Sequence, residues 1–132
     1  MLFNRAHLFK QHSGEIMINI ERRKHYIYLE FSEPYTREKF FSISNSVLEI
    51  CEKENFKKIL VNIQNMPGRI MAMERFEMGV QGALLFSHKA TIAVVYRKEE
   101  IDGFAETVGV NRGLSGRIFS EMDKALEWLG VE

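Results

Sequence analysis

Two nearly unbroken apolar runs, Ile59-Leu60-Val61-Asn62-Ile63 and Thr91-Ile92-Ala93-Val94-Val95-Tyr96, set the strongest limit on what this chain can become. A strand with one wet face alternates apolar and polar residues. A short run without alternation has the composition of a strand covered on both faces, as in parallel sheets flanked by helices. Between the runs lie a loop at residues 65–70, with Pro67 and Gly68, and a stretch where Met73, Phe76, Val80, Ala83 and Leu84 recur at helical spacing. Strand, helix and strand in that order require parallel pairing through a crossover. In open α/β sheets the loop leaving the carboxyl end of such a strand is where a ligand or partner docks.

The flanking sequence extends the pattern. Ile16, Ile18 and Ile20 alternate with Met17, Asn19 and Glu21; after Arg22-Arg23-Lys24-His25, Ile27, Leu29 and Phe31 alternate with Tyr26, Tyr28 and Glu30. Two alternating runs joined by a short turn make an antiparallel hairpin, and the cationic turn reads as a solvated loop tip. Pro34 ends the second strand and Thr36 is placed to cap a helix. Its stripe is Phe40, Ile43, Val47, Ile50 and Cys51, and Asn55 is its stop. Gly79 and Gly82 sit inside the later helix. Each costs about 1 kcal/mol there, so they imply close packing on the sheet. Downstream, Ile101, Phe104, Ala105 and Val108 mark a short helix ending at Asn111-Arg112-Gly113, and Arg117-Ile118-Phe119 marks a strand. Ser120-Glu121-Met122-Asp123 resembles a capping box before a helix with Met122, Ala125, Leu126 and Leu129 inward. The expectation is an α/β fold: a mixed sheet of about five strands, an N-terminal antiparallel hairpin followed by parallel strands, with helices packed on it. Residues 15–132 read as one domain. Residues 1–14 read as an N-terminal arm, either frayed or a short docking helix.

Charge narrows the function. Lys plus Arg and Asp plus Glu are each 18, so no overall field draws the chain to nucleic acid or an acidic membrane. A lone cysteine excludes an intrachain disulfide and a cysteine-based zinc site; Cys51, on a helical stripe, reads as a small core residue. Arg5, His7, Lys10 and His12 interrupt any signal-like apolar opening, and no membrane-length apolar run follows. The expected location is the cytoplasm.

The second half resembles the SpoIIAA-like proteins of the STAS group. The resemblance rests on Arg75-Phe76, Phe104 with Glu106, Asn111-Arg112-Gly113, and Phe119 with Ala125, Leu126, Trp128 and Leu129, within residues 57–129. It implies a small α/β domain that works by binding and not by turnover. In the anti-sigma-factor antagonists of that group a phosphorylatable Ser opens the helix after the central strand. Residues 68–73 here contain no Ser, Thr or Asp, so that switch does not carry over. The architecture is also similar to that of CRAL-TRIO lipid carriers, which implies an apolar ligand as the alternative.

Catalytic patterns are thin. The four histidines are scattered without metal-ligand spacing, and neither a Gly-x-Ser-x-Gly elbow nor a Gly-x-Gly-x-x-Gly turn occurs. No cofactor, metal or catalytic residue is expected. Met66 and Met71, flanking Pro67-Gly68-Arg69, read as an exposed adaptable surface, whereas Met73 and Met78 read as core. Arg69 and Arg75 lie near a helix amino end, which favours anions. Asn111-Arg112-Gly113 reads first as a helix end and second as a place where Arg112 holds an anion or a partner's carboxylate. Glu106 is expected to pair with Arg112 or Arg75. The candidate partner- or ligand-binding residues are therefore Met66, Arg69, Met71, Arg75, Asn111 and Arg112. The partner is another protein or a second copy of the chain. The alternative is a small apolar or amphiphilic ligand held between the Met-rich helix and the sheet.

Overall fold

The computed structural model describes residues 7–11 and 14–132, with side chains from residue 18 onward. Six strands stand in sequential order in one mixed sheet. β1 (His7–Gln11) pairs antiparallel with β2 (Gly14–Arg22), and β2 pairs antiparallel with β3 (Ile27–Glu30). Then β3, β4 (Lys58–Asn62), β5 (Thr91–Val95) and β6 (Ser115–Phe119) run parallel. The sheet is thus mixed as expected, with β1 as one strand more. Residues 7–11 pair as a strand and not as a docking helix; the rest of the expected arm up to residue 13 lies outside the described residues.

The helices are α1 (Arg37–Glu54), α2 (Ala72–Phe86), α3 (Phe104–Asn111) and α4 (Met122–Leu129). Right-handed crossovers between sequential parallel strands keep α1, α2 and α3 on one side, while α4 returns across the other. On the three-helix face Ile27, Leu29 and Ile59 pack with Ile43, Val47, Cys51 and Phe86. On the α4 face Tyr28, Leu60, Ala93 and Val95 pack with Ala125 and Leu129. β3 is therefore buried on both faces, and Tyr26 and Tyr28 are core residues where their alternation with Ile27 and Leu29 suggested a wet face.

Local signals mostly act as their chemistry dictates. The Thr36 hydroxyl accepts from Lys39 N at the start of α1, and Asn55 closes that helix at φ +59°. Burial, reinforced by Glu52 and Glu54, pushes the Cys51 thiol up to about 11, which suits a core residue. The β2–β3 turn is less solvated than its charge suggests. Arg22 pairs with Glu54, and Arg23 pairs with Glu21 while lying over the Tyr28 ring. At α4 the N-cap is Glu121, with no side-chain bond, so the capping box at Ser120 does not form.

The α2 stripe departs most from expectation. Its buried residues are Gly79, Gly82, Ala83 and Phe86, whereas Met73 and Leu84 are 69% and 74% exposed. The helix is rotated because Gly79 meets α3, while Gly82 meets Leu114 just before β6. A Cβ at Gly79 would stand 2.7 Å from the Ala105 carbonyl oxygen and 2.8 Å from Val108. Close approach of two helices fixes which side of α2 faces in.

Candidate functional site

Because β3 to β6 are parallel, their carboxyl ends share one edge, where Glu30, Asn62, Val95 and Phe119 stand in register. The chain leaves that edge through Phe31, Ile63 and Tyr96, whose N–H groups each donate to the neighbouring strand. On the three-helix side of this edge lies a cavity of about 180 Å³. Leu29, Val61, Val94 and Ile118 form its floor, and Phe40 of α1, Met78 of α2 and Ile101 form its walls. For scale, an engineered apolar cavity of about 150 Å³ holds one benzene molecule. Gly79, Gly82 and Gly116 also line it. A Cβ on Gly79 would press on Ala105 and Val108 of α3, and one on Gly82 or Gly116 would meet Leu114.

The loop between β4 and α2 closes one end. Met66 and Ile70 are 5% and 3% exposed and pack with Ile63 and Tyr96. This corrects the expectation that Met66 is an exposed contact residue: an apolar side chain over an under-filled core turns inward to escape water. Arg97, just past β5, holds the loop by donating to the carbonyls of Gln64, Met66 and Gly68, the last at 2.7 Å. Loop carbonyls near a core need such donors. Two ion pairs tie the rim to the segment before α3: Arg69–Glu100 at 3.0 Å and Arg75–Asp102 at 2.8 Å.

The six candidate residues thus divide. Met66 and Arg75 line the cavity, and Arg69 belongs to its rim through Glu100. Met71 is 64% exposed at the N-cap of α2. Asn111 and Arg112 lie at the far end of α3, where Gly113 adopts φ +95° and Arg112 donates to the Val108 carbonyl and lies over Phe76. The helix-end reading of that motif therefore describes it. Glu106 pairs with neither arginine; it accepts the Ile118 N–H at 2.9 Å, at the β6 end of the cavity.

Two features were missed in the sequence. Arg97 follows an apolar strand directly, which is the only signal it offered. Tyr35 and Tyr96 both line the cavity, and both hydroxyl oxygens are buried with no hydrogen-bond partner among the described residues. Burial, with Glu77 and Glu74 nearby, pushes the Tyr35 hydroxyl up to about 12. The surface outside the cavity is also uneven. Among the described residues the exposed large apolar side chains are Met71, Met73, Phe76, Leu84, Phe104 and Val110, all on α2, its cap or α3. No group of three His, Cys, Asp or Glu side chains among the described residues is placed to share a metal ion. None of the described helices is long and apolar enough to cross a membrane.

No family model and no curated relative matches the sequence. Among solved structures the chain is similar to an uncharacterized protein of the DUF3478 family from Shewanella loihica PV-4, described as having a SpoIIAA-like fold. Identity is 16%, 98% of each chain is covered, and the TM-score is 0.54. At that identity the match speaks for architecture alone. It agrees with the hairpin, the parallel run β3–β6 and the helices between them: the fold of this protein is SpoIIAA-like.

Proposed function

We propose that this protein works by binding, not by turnover, and that it holds a small apolar or amphiphilic molecule between α1–α3 and the sheet. The cavity at the carboxyl edge of the parallel strands carries this reading. Ligands of open α/β sheets gather at that edge, and ligand sites are concave and mostly apolar, with a few polar groups. Its volume suits one ring or a short chain better than a whole two-chain lipid. The reading includes no phosphoryl switch, since residues 68–73 contain no Ser, Thr or Asp. Native mass spectrometry of gently purified protein, paired with methyl NMR during titration with a small hydrocarbon, tests it. Repeated absence of a bound molecule, with no shift at Val94 or Ile118, rejects it.

A second reading is favoured by the exposed stripe on α2 and α3: an interaction surface for a protein partner or for a second copy of the chain. Contiguous apolar surface on a soluble domain commonly marks such a site. Met71, the N-cap of α2, is one of these exposed residues, and Arg69 precedes it by two positions. Sedimentation equilibrium of the wild type and of Met73→Asp/Phe76→Asp tests the second-copy form. Monomers at every concentration in both proteins reject it.

A further inference from the structure

We propose that Tyr35 and Tyr96 form the polar end of the cavity and select a neutral ligand that carries a hydrogen-bond acceptor such as a carbonyl, ether or hydroxyl oxygen on a compact apolar body. The inference rests on the ligand-binding reading above and adds the chemistry of the molecule to it. Tyr96 is 4% exposed. Its hydroxyl and that of Tyr35 are buried without partners among the described residues, and both rings pack around Ile63, Met66 and Ile70. A buried hydroxyl left unpaired is costly, so native structures rarely keep one, and two on residues that line one apolar cavity leave a place for an acceptor beside them.

The charged groups around the cavity exclude an anionic head. Lys39 is paired with Glu33 at 2.7 Å and Arg75 with Asp102 at 2.8 Å. Arg117 also lines the cavity from β6, but alternation turns its side chain to the α4 face, where it lies over Phe119. Among the described residues a carboxylate or phosphate would therefore meet no free cation, and an unpaired buried charge is far more costly than an unpaired hydroxyl. A cationic head fares no better: Glu100 is held by Arg69 and Glu106 by the Ile118 N–H.

Three probes of one shape separate the possibilities: acetophenone, α-methylstyrene (a CH₂ in place of the carbonyl oxygen) and benzoate. Affinities are read from NMR shifts of cavity methyls at pH 7, in the wild type and in Tyr35→Phe, Tyr96→Phe and the double variant. Acetophenone should bind wild-type protein about threefold to tenfold more tightly than α-methylstyrene, the contribution of a net hydrogen bond. The double variant should erase that ratio while leaving α-methylstyrene binding unchanged, and benzoate should not bind. Equal affinity of the two neutral probes in the wild type overturns the role of the hydroxyls and leaves the ligand-binding reading standing. Benzoate binding more tightly than acetophenone overturns the neutral head group. Silence of all three probes overturns the ligand-binding reading itself. The wild-type comparison needs no variant, so poor folding of a substituted chain cannot mask the answer.

Discussion

The two faces of the central sheet are built from the same strands and are filled differently. On the α4 side Leu60, Ala93, Val95 and Ala125 are each 0% exposed, and small residues of strand and helix interlock. The tyrosine hydroxyls on that side are satisfied. Tyr26 donates to the Glu132 carbonyl, while Tyr28 donates to Glu30 and accepts from Asn62. On the three-helix side Tyr35 and Tyr96 have no hydroxyl partner among the described residues and a cavity remains. The difference separates a closed face with paired polar groups, which holds the fold, from a face with spare volume, which under the function proposed above would take up a guest.

The sharpest way to break this contrast is to hollow out the filled face. Leu60→Ala removes a side chain with no room to collapse and should cost about 2–5 kcal/mol, seen as a large drop in the urea midpoint. A loss below about 1 kcal/mol would mean that the α4 face is not the better packed one. Next comes a matched pair of hydroxyl deletions. Tyr28→Phe leaves Asn62 and Glu30 short of a partner and should cost roughly 1–3 kcal/mol, whereas Tyr96→Phe should be neutral or stabilising. Equal costs at the two positions would contradict the contrast.

Alkali offers a third test, centred on the three-helix face, although burial also raises the Tyr28 hydroxyl on the α4 face. Tyr35 and Cys51 both have raised folded values, about 12 and about 11. Their unfolded forms lose protons first as pH rises, so the stability they contribute is fully present below about pH 9 and drains away between about pH 9 and 12. Cys51→Ala should flatten the lower part of that decline, a change on the order of 1 kcal/mol, and Tyr35→Phe the upper part. Thermal melts across that range would show it; identical slopes in all three proteins would disprove it. The smallest effect is expected from filling the cavity. Val94→Leu adds one methylene to open space, should change stability by less than about 0.5 kcal/mol, and should weaken probe binding. An overpacking cost of about 1–3 kcal/mol would show that the space cannot be used.

Much of this architecture could be read directly from the residues, because strand burial writes itself into composition. The runs at 59–63 and 91–96 announced parallel strands, and Thr36 and Asn55 bounded α1 through bonds made within a few residues. The candidate site was less legible. Arg75 and Met66 do reach the cavity, but Met66 does so as a buried plug, and Arg112 belongs to a helix end. The orientation of α2 was misread because Met73, Phe76 and Leu84 satisfy a helical period as well as the true inner face does. Periodicity reports that a stripe exists; Gly79 against α3 decides which way the helix turns. Tyr35 and Tyr96 gave no local sign, since an unpaired hydroxyl is defined by neighbours that lie far away in the chain.

What the sequence determined by itself is the class of fold, the pairing sense of the strands and the places where helices start and stop. Those follow from short-range sterics, capping and the apolar period. Tertiary structure alone decided that one face of the sheet closes and the other keeps a cavity, which hydroxyls lack partners and which apolar side chains stay outside. Such properties depend on how volumes fit together across distant segments, and no local pattern encodes the sum of those volumes.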